Sequence, residues 1–223
     1  MIRGKFITLE GGEGVGKTTN LAFIKDYLEQ RNIPVVVTRE PGGTELAEKI
    51  RQLLLDSKSE AISEQAELLM MFAARAQHIK HVIEPALAQG NWVLCDRFTD
   101  ATYAYQGGGR NMKISAIKWL EDFVQGSLKP DLTLLLDAPI EVGIARVRER
   151  GALDRFELEK ISFFENVRRA YLLQAELYPA RIKLIKANQP LIEVQRAISD
   201  VIRTLPGLHP LNCSSSSRHG IIK

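Results

Sequence analysis

A glycine-rich stretch near the N-terminus has the residue types and spacing of a loop that binds phosphate. Residues 11–18 read GGEGVGKT and match the pattern GxxxxGK[ST] in full. Glycines let backbone N–H groups turn towards phosphate oxygens, and the start of the following helix adds favourable partial charge. In this pattern the lysine reaches the β- and γ-phosphates, and the hydroxyl ligates Mg²⁺. We therefore expect a nucleoside triphosphate and magnesium at a phosphate loop that consists of Gly11, Gly12, Glu13, Gly14, Val15, Gly16, Lys17 and Thr18.

The phosphate loop alone leaves the kind of enzyme open, because kinases, GTPases and ATP-driven motors share it. The later strands lack the NKxD motif with which GTPases hold guanine, and 223 residues are few for a motor domain. A kinase is therefore the favoured interpretation. A glycine-rich turn without function is the alternative, and the complete match between a strand and a helix counts against it.

A second pair of residues suited to phosphate chemistry, Asp96 and Arg97, comes at the end of the apolar run Trp92–Asp96. If that run is a strand, both side chains emerge at the carboxyl edge of the sheet, where phosphates bind. Asp96 can then hold a magnesium-bound water, and Arg97 can grip the acceptor phosphate and the transferred phosphoryl group. We predict that Lys17, Asp96 and Arg97 are catalytic, with a surface salt bridge as the alternative for the Asp-Arg pair.

Two further arginines follow the second predicted strand, Arg39 directly and Arg51 twelve residues later. Two cations at the rim of the sheet suit the phosphate of a nucleoside monophosphate. For Arg39 two roles remain open, which are direct contact with that phosphate and a structural ion pair.

Strands and helices alternate along the chain, so that these residues fall at strand ends. Short apolar or β-branched runs predict strands at Phe6–Glu10, 34–38, Trp92–Asp96, Leu132–Asp137 and 182–185. Helices are expected at 17–31, 44–55 and 63–89, the last with a capped start at Ser63 near Glu67. Continuous apolar strands fit a sheet covered on both faces. We predict an α/β fold of three layers, with a central parallel sheet of five strands flanked by helices.

Size and composition set the limits of the domain and of its partners. With 45% apolar residues, the chain can bury one substantial core, and we predict a single domain over residues 1–205 and a disordered tail over 206–223. A net charge of +3 is too small to favour nucleic acid or a membrane as a partner. Cys95 and Cys213 lack the spacing of a disulfide or zinc site, and Cys95 reads as a buried apolar residue. We expect a cytoplasmic protein.

Five segments together resemble bacterial thymidylate kinase from about residue 5 to residue 202: 10–18, TREPGGT at 38–44, DRF at 96–98, AYQGGG at 104–109, and 146–155. The resemblance implies a P-loop NTPase fold with a short lid at about 146–157, ATP as donor, dTMP as acceptor, Mg²⁺ as cofactor and a homodimer. It also implies a cis peptide bond at Glu40-Pro41. The reaction would be direct in-line transfer, without a covalent phosphoenzyme, to give dTDP and ADP.

The resemblance also assigns residues to the acceptor. The arginine that matches Arg51 contacts the dTMP phosphate, and Arg75 is placed to donate to a thymine carbonyl. Thr102 and Gln106 match positions that bond the base, and Tyr105 matches the aromatic residue that crowds the sugar 2′ position. Glu13 matches a residue that approaches the 3′-hydroxyl. The implied dTMP-binding residues are thus Glu13, Arg39, Arg51, Met71, Phe72, Arg75, Arg97, Thr102, Tyr105 and Gln106.

One position departs from the family, which has a phenylalanine four residues before Arg75 to stack on thymine. This chain has Met71 there and an aromatic residue, Phe72, next to it, about 100° around the helix. Either Met71 contacts the base and Phe72 packs beside it, which we favour, or the helix shifts to present Phe72. Both residues could also belong to the core.

The densest cationic stretch, residues 146–155, is either a solvated face or a lid that closes over ATP. The resemblance favours the lid, because in the bacterial type the phosphate loop lacks an arginine and the lid supplies it. Arg148, Arg150 and Arg155 are candidates, and we expect Arg150 to be catalytic. The competing functions are a kinase for UMP, CMP or a deoxynucleoside, and a nucleotide-dependent switch without phosphoryl transfer.

Overall fold

A computed structural model of the chain describes residues 3–56, 60–149 and 154–208. Within this part, five strands form one sheet in the order β2-β3-β1-β4-β5, and every neighbouring pair is parallel. Helices cover both faces, so the α/β sheet architecture predicted from the sequence is confirmed. None of the helices in the described ranges is long and apolar enough to cross a membrane.

The helices and strands have the following bounds. The strands are β1 Phe6–Glu10, β2 Val35–Arg39, β3 Trp92–Asp96, β4 Leu132–Asp137 and β5 Ile182–Lys186. The α-helices are α1 Lys17–Glu29, α2 Glu45–Leu55, α3 Glu64–His78, α4 Glu84–Ala88, α5 Thr99–Thr102, α6 Ile114–Gln125, α7 Ile140–Glu149, α8 Ile161–Leu177 and α9 Leu191–Ile202. Two π-helical segments, Ile79–Ile83 and Tyr103–Gly109, continue α3 and α5.

Local side-chain caps explain where α2 and α3 begin. The Thr44 hydroxyl accepts a hydrogen bond from the N–H of Ala47, and the Ser63 hydroxyl accepts one from Ala66, as N-caps do. The helix predicted over 63–89 is continuous but contains a π-helical turn, a feature frequent at functional sites. Glu67, expected near the capped start of that helix, is buried and has other partners.

The strands bring the predicted residues to one edge of the sheet. In the parallel register Asp96 of β3 lies beside Leu9 of β1 and Arg39 of β2, so the carboxyl ends of the strands meet there. The central strands β1, β3 and β4 are largely buried, the edge strands β2 and β5 are partly exposed, and Cys95 is fully buried as predicted.

Two glycines let α7 pack against the phosphate loop. A Cβ on Gly14, whose φ is +68°, would lie 2.1 Å from the carbonyl oxygen of Gly143, and a Cβ on Gly143 would lie 2.3 Å from that of Glu13. Neither position has room for a side chain, so the glycines fix the approach of α7.

The C-terminal part of the described chain is packed slightly beyond the predicted domain boundary. Leu205 and Leu208 both lie against the main apolar cluster of the sheet. The packed region therefore extends past residue 205, and the remainder of the predicted tail, with Cys213, lies outside the described residues.

Candidate active site

A cavity of about 520 Å³ opens at the carboxyl edge of the sheet. Its wall combines the phosphate loop, the ends of β2 and β3, α3, the π-helical segment after α5, and the residues on either side of 150–153. Among the residues predicted from the sequence, its lining includes Glu13, Gly14, Val15, Gly16, Lys17, Thr18, Arg51, Met71, Arg75, Asp96, Arg97, Thr102, Tyr105 and Gln106. Residues that lie far apart in the chain therefore share one wall.

The phosphate loop folds around its own lysine. The Nζ atom of Lys17 donates to the carbonyl oxygens of Gly11 and Gly12 at 3.0 and 2.6 Å. Burial and the positive charge of Arg97 lower the pKa of Lys17 to about 8. The lowered pKa means that the charged form of Lys17 is disfavoured here, and phosphate oxygens in place of the carbonyl groups would stabilise it.

Three side chains from three elements meet across the cavity. The Glu13 Oε1 atom accepts hydrogen bonds from Arg97 Nη2 at 2.5 Å and from the Tyr105 hydroxyl at 2.7 Å. Burial opposes ionisation of Glu13, but Arg97 and Lys17 outweigh it and lower its pKa to about 2. This cluster therefore holds a permanent carboxylate and a permanent guanidinium side by side.

Arg97 adopts an unusual backbone conformation that directs it into this cluster. Its φ of +65° is in the left-handed region, which is uncommon for a residue other than glycine. Its N–H donates to the Leu9 carbonyl at 2.9 Å, and the N–H of Phe98 donates to buried Glu10 at 2.7 Å. Contacts on both sides of Arg97 thus hold the backbone in place, as expected where function requires strain.

The two rim arginines differ in their placement. Arg51 lines the cavity, donates to the Pro41 carbonyl at 3.0 Å, and has its pKa lowered by burial and by Arg39 and Arg97. Such a concentration of positive charge suits a phosphate dianion. Arg39 pairs with Glu48 at 2.8 Å and is half exposed, which supports the structural ion pair among its two predicted roles.

Arg75 lines the cavity and is held rigidly by its hydrogen bonds. Its Nε atom donates to Glu40 at 2.6 Å, and its Nη2 atom donates to the Phe98 carbonyl at 3.2 Å and to Thr102 Oγ1 at 3.0 Å. The Nη1 atom is buried and has no hydrogen-bond partner in the described part of the protein. Arg75 thus offers one unpaired donor to a ligand whose polar edge reaches this wall.

Glu40 is fixed in turn by a buried histidine. The His78 Nδ1 atom lies 2.9 Å from Glu40 Oε1, and its Nε2 atom lies 2.6 Å from Thr38 Oγ1. The Glu40-Pro41 peptide bond is cis, as the resemblance implied. The TREPGGT segment therefore acts as a support for Arg75 as well as a rim for the cavity.

The residues predicted to hold magnesium, Thr18 and Asp96, both line the cavity. Asp96 Oδ1 is buried, and no described residue hydrogen-bonds it. Thr18 is exposed to the same cavity. An unsatisfied carboxylate oxygen and a hydroxyl are ligands that Mg²⁺ prefers, so the residues fit this ion, directly or through water.

Comparison with known proteins agrees with this geometry. The family model for thymidylate kinase matches residues 9–198. A protein of Pseudomonas entomophila named thymidylate kinase is 59% identical over 205 residues, which are 92% of this chain and 96% of that protein. A thymidylate kinase of Teredinibacter turnerae is 57% identical over 202 residues, 91% of this chain and 97% of that protein. The chain belongs to the thymidylate kinase family.

A solved structure extends the likeness to three dimensions. The crystal structure of thymidylate kinase from Ehrlichia chaffeensis is 34% identical, covers 90% of this chain and 99% of its own, and has a TM-score of 0.73. The sheet, its helices and the phosphate loop therefore form the P-loop NTPase fold that the sequence predicted.

In this thymidylate kinase chain, the methionine at the departing position faces the cavity. Met71 lines the wall, whereas Phe72 is 2% exposed and packs with Leu68 and Ile117. The Arg75 guanidinium lies 4.8 Å from the centre of the Phe72 ring. Phe72 therefore supports Arg75 from the core, which is the arrangement favoured from the sequence, and a contact of Met71 with a base stays a prediction.

The lid arginines of this thymidylate kinase chain separate into different groups. Arg150 and the side chain of Arg148 lie outside the described residues. Arg146 lines the cavity and donates to the Gly14 carbonyl at 3.2 Å. Arg155 is turned away, because it donates to the Leu54 carbonyl at 2.8 Å and pairs with buried Glu67 at 2.6 Å. Arg155 thus ties its segment to α2 and α3, an arrangement that does not favour it among the three candidates for the catalytic cation.

Sequence reasoning missed the residues behind the wall. Glu67 accepts hydrogen bonds from Gln106, Arg110 and Arg155, and His78 braces Glu40. A glutamate and a histidine on the apolar side of a helix are a weak signal that these residues have buried partners. The sequence contained that signal, but it does not show which residues pair with Glu67 and His78.

Proposed function

We propose that this member of the thymidylate kinase family is a dTMP kinase, which transfers the γ-phosphoryl group of ATP to dTMP and forms dTDP and ADP. One observation carries the proposal. A single cavity is lined by the phosphate loop, by the cationic side chains of Arg51 and Arg97, and by the rigid donor Arg75. These three parts suit a triphosphate, an acceptor phosphate and a base.

The reaction is a direct in-line displacement. An oxygen of the dTMP phosphate attacks the γ-phosphorus of ATP, and the bond from that phosphorus to the β–γ bridging oxygen breaks to release ADP. The dianionic acceptor is already a nucleophile, so no general base is required. Lys17 neutralises the donor phosphates, and Arg51 and Arg97 hold the acceptor phosphate against them, so that positioning and charge neutralisation account for the rate.

The remaining wall residues select the nucleoside in this proposal. Glu13 accepts from the sugar 3′-hydroxyl, and Tyr105 occupies the space next to the 2′ carbon. Arg75 donates to a thymine carbonyl, and Gln106 and Thr102 lie beside the base. Met71 covers the base face with a polarisable thioether.

Magnesium and the lid complete the donor side. Bound Mg²⁺ neutralises charge on the triphosphate, and in this proposal Thr18 and Asp96 hold it directly or through water. Arg150 is the proposed catalytic cation of the lid, a segment over about residues 146–157 that excludes water from the donor phosphate when it closes.

A panel of acceptors tests the function. ADP release is coupled to a spectrophotometric readout with ATP and, in turn, dTMP, dUMP, UMP, CMP and thymidine, and the product is identified by chromatography. We expect the highest kcat/KM with dTMP and little turnover of thymidine, which lacks the acceptor phosphate. Preference for UMP or for a nucleoside would assign the chain to another kinase, and ADP release without any acceptor product would support a nucleotide-dependent switch.

We further propose a homodimer, formed through the outer face of α6 and the adjoining α3. Trp119 and Phe123 stack at 5.4 Å between ring centres, yet are 64% and 75% exposed, and Leu69 on α3 is also exposed. Apolar patches of this kind mark interfaces. Sedimentation should give a dimer that Phe123→Glu dissociates, whereas Ile192→Glu on α9 should remain dimeric. A monomeric wild type would refute the proposal.

We also propose the cytoplasm as the place of action. Cys95 is a free buried thiol, and burial raises its pKa, which suits a reducing compartment. Fractionation of cells that express the chain would test this, with activity expected in the cytoplasmic fraction and contradicted by activity outside it.

A further inference from the structure

A buried glutamate lies directly behind the base end of the cavity. Glu67, in the first turn of α3, has a side chain that is 1% exposed, and it is absent from the residues that line the cavity. Its Oε1 atom accepts from Gln106 Nε2 at 2.9 Å. Its Oε2 atom accepts from Arg155 Nη2 at 2.6 Å and from Arg110 Nη2 at 3.3 Å. Arg110 Nε also donates to Oε1 at 3.3 Å, so two guanidinium groups surround this carboxyl group inside the protein.

The hydrogen bonds of Glu67 determine which way the Gln106 amide points. Both Glu67 oxygens accept hydrogen bonds from guanidinium groups, so it is the donor end of the amide, the NH₂ group, that faces Oε1. Gln106 is 1% exposed, lines the cavity and has no freedom to turn without losing this bond. The carbonyl end, Oε1, is therefore the end left to face the ligand.

A fixed acceptor and a fixed donor that line the same cavity can distinguish pyrimidine bases. Thymine and uracil present an N3–H donor beside the O4 acceptor, which match Gln106 Oε1 and Arg75 Nη1. Cytosine presents the opposite pattern, because its N3 is an acceptor and its N4 amino group is a donor. Cytosine would place its N3 acceptor against the Gln106 acceptor and its N4 donor against the Arg75 donor. A site with such buried, unpaired groups discriminates strongly against the wrong base.

We propose that Glu67 is a positioning residue that sets the selectivity of the acceptor site for dTMP over dCMP by orienting the Gln106 amide. The inference rests on the proposed function and adds a residue that touches neither substrate. In this role Glu67 acts on the base through Gln106, while Arg110 and Arg155 occupy its other hydrogen-bonding positions.

The test is the ratio of kcat/KM for dTMP to kcat/KM for dCMP in wild type, Glu67→Gln and Gln106→Leu. The Glu67→Gln side chain has nearly the same volume but can donate or accept, so the Gln106 amide is free to turn. We expect the ratio to fall by about tenfold or more, the equivalent of one hydrogen bond, mainly through improved use of dCMP. In the Gln106→Leu background, Glu67→Gln should change the ratio no further.

A matched control separates orientation from damage to the lid. Arg155→Gln removes a partner of Glu67 Oε2 but leaves the Oε1 bond to Gln106, so it should lower turnover of both acceptors and keep their ratio. If Glu67→Gln lowers both activities equally, or changes the ratio as much in the Gln106→Leu background, Glu67 has only a structural role. Should Glu67→Gln fail to fold, Glu67→Asp, which withdraws the carboxylate but keeps its charge, must still lower the ratio. A wild type that does not use dTMP would refute the proposed function itself, whatever the variants do.

Discussion

The replacement Glu10→Gln should change how the stability of the ligand-free protein depends on pH. Glu10 ends β1 and is fully buried beneath Arg97. Its carboxyl group accepts from the Phe98 N–H at 2.7 Å and from the Tyr171 hydroxyl at 2.8 Å. Burial and the neighbouring Asp100 carboxylate raise its pKa from 4.5 to about 8.

The direction of the effect follows from proton counts. Between pH 4.5 and pH 8 the folded protein keeps a proton on Glu10 that the unfolded chain has lost. The free energy of unfolding therefore falls as pH rises through this window, by about 1.4 kcal/mol per pH unit. From pH 6 to full ionisation above pH 8, the loss amounts to roughly 2–3 kcal/mol. Glu10→Gln retains the neutral, hydrogen-bonding form and avoids this loss.

Urea unfolding of both proteins at pH 6 and pH 9, without nucleotide, measures the effect. The stability of Glu10→Gln relative to wild type should rise by roughly 2–3 kcal/mol between the two pH values. Because the two proteins are compared at the same pH, the contributions of the other titrating groups to the free energy of unfolding cancel in the difference. Tyr171→Phe is the control, because it removes one hydrogen bond to Glu10 and keeps the acid, so its profile should stay steep. Parallel profiles for Glu10→Gln and wild type would refute the assignment of a neutral buried acid.

Three further predictions concern nucleotide, metal and folding. ATP binding should take up a proton near pH 8 and should weaken as pH rises further, because the phosphates raise the lowered pKa of Lys17. Calorimetry in buffers of different ionisation enthalpy measures this proton uptake, which should be smaller in Lys17→Met. Asp96→Asn should increase the Mg²⁺ concentration needed for half-maximal rate about tenfold, measured by titration at fixed ATP. Arg181→Met should cost about 3 kcal/mol in urea unfolding, because it strands buried Asp100, whereas Arg196→Met at an exposed pair should cost under about 1 kcal/mol. Unchanged values in any of the three would contradict the corresponding contact.

The strands could be predicted because their signals are local. The runs at β1, β3 and β4 have the predicted bounds, β2 is shifted by one residue at both ends, and β5 extends one residue further. Apolar runs that end in a charged or acidic residue mark both the strand and its carboxyl edge. Once the strands are known, the register alone brings Asp96 and Arg39 together.

The supporting contacts could not be predicted because they join distant parts of the chain. Glu67 is 39 residues from Gln106 and 88 from Arg155, and no short pattern encodes such a pair. Arg155 was difficult to place for the same reason. The sequence shows only that it belongs to a cationic run, whereas the structure pairs it with the distant, buried Glu67. The choice between Met71 and Phe72 required the rotation of α3, which depends on the packing of Leu68 and Phe72 against Ile117 of α6.

The most direct test of the central claim is the formation of dTDP from ATP and dTMP by wild type and Arg97→Ala, followed by chromatography of both products. Wild type should form dTDP and ADP in equal amounts, and Arg97→Ala should be slower by about 10³-fold, because it loses the cation between the two reacting phosphates. Arg196→Ala, at an exposed site, should match wild type. Comparable rates in wild type and Arg97→Ala, or ADP formed without dTDP, would contradict the account.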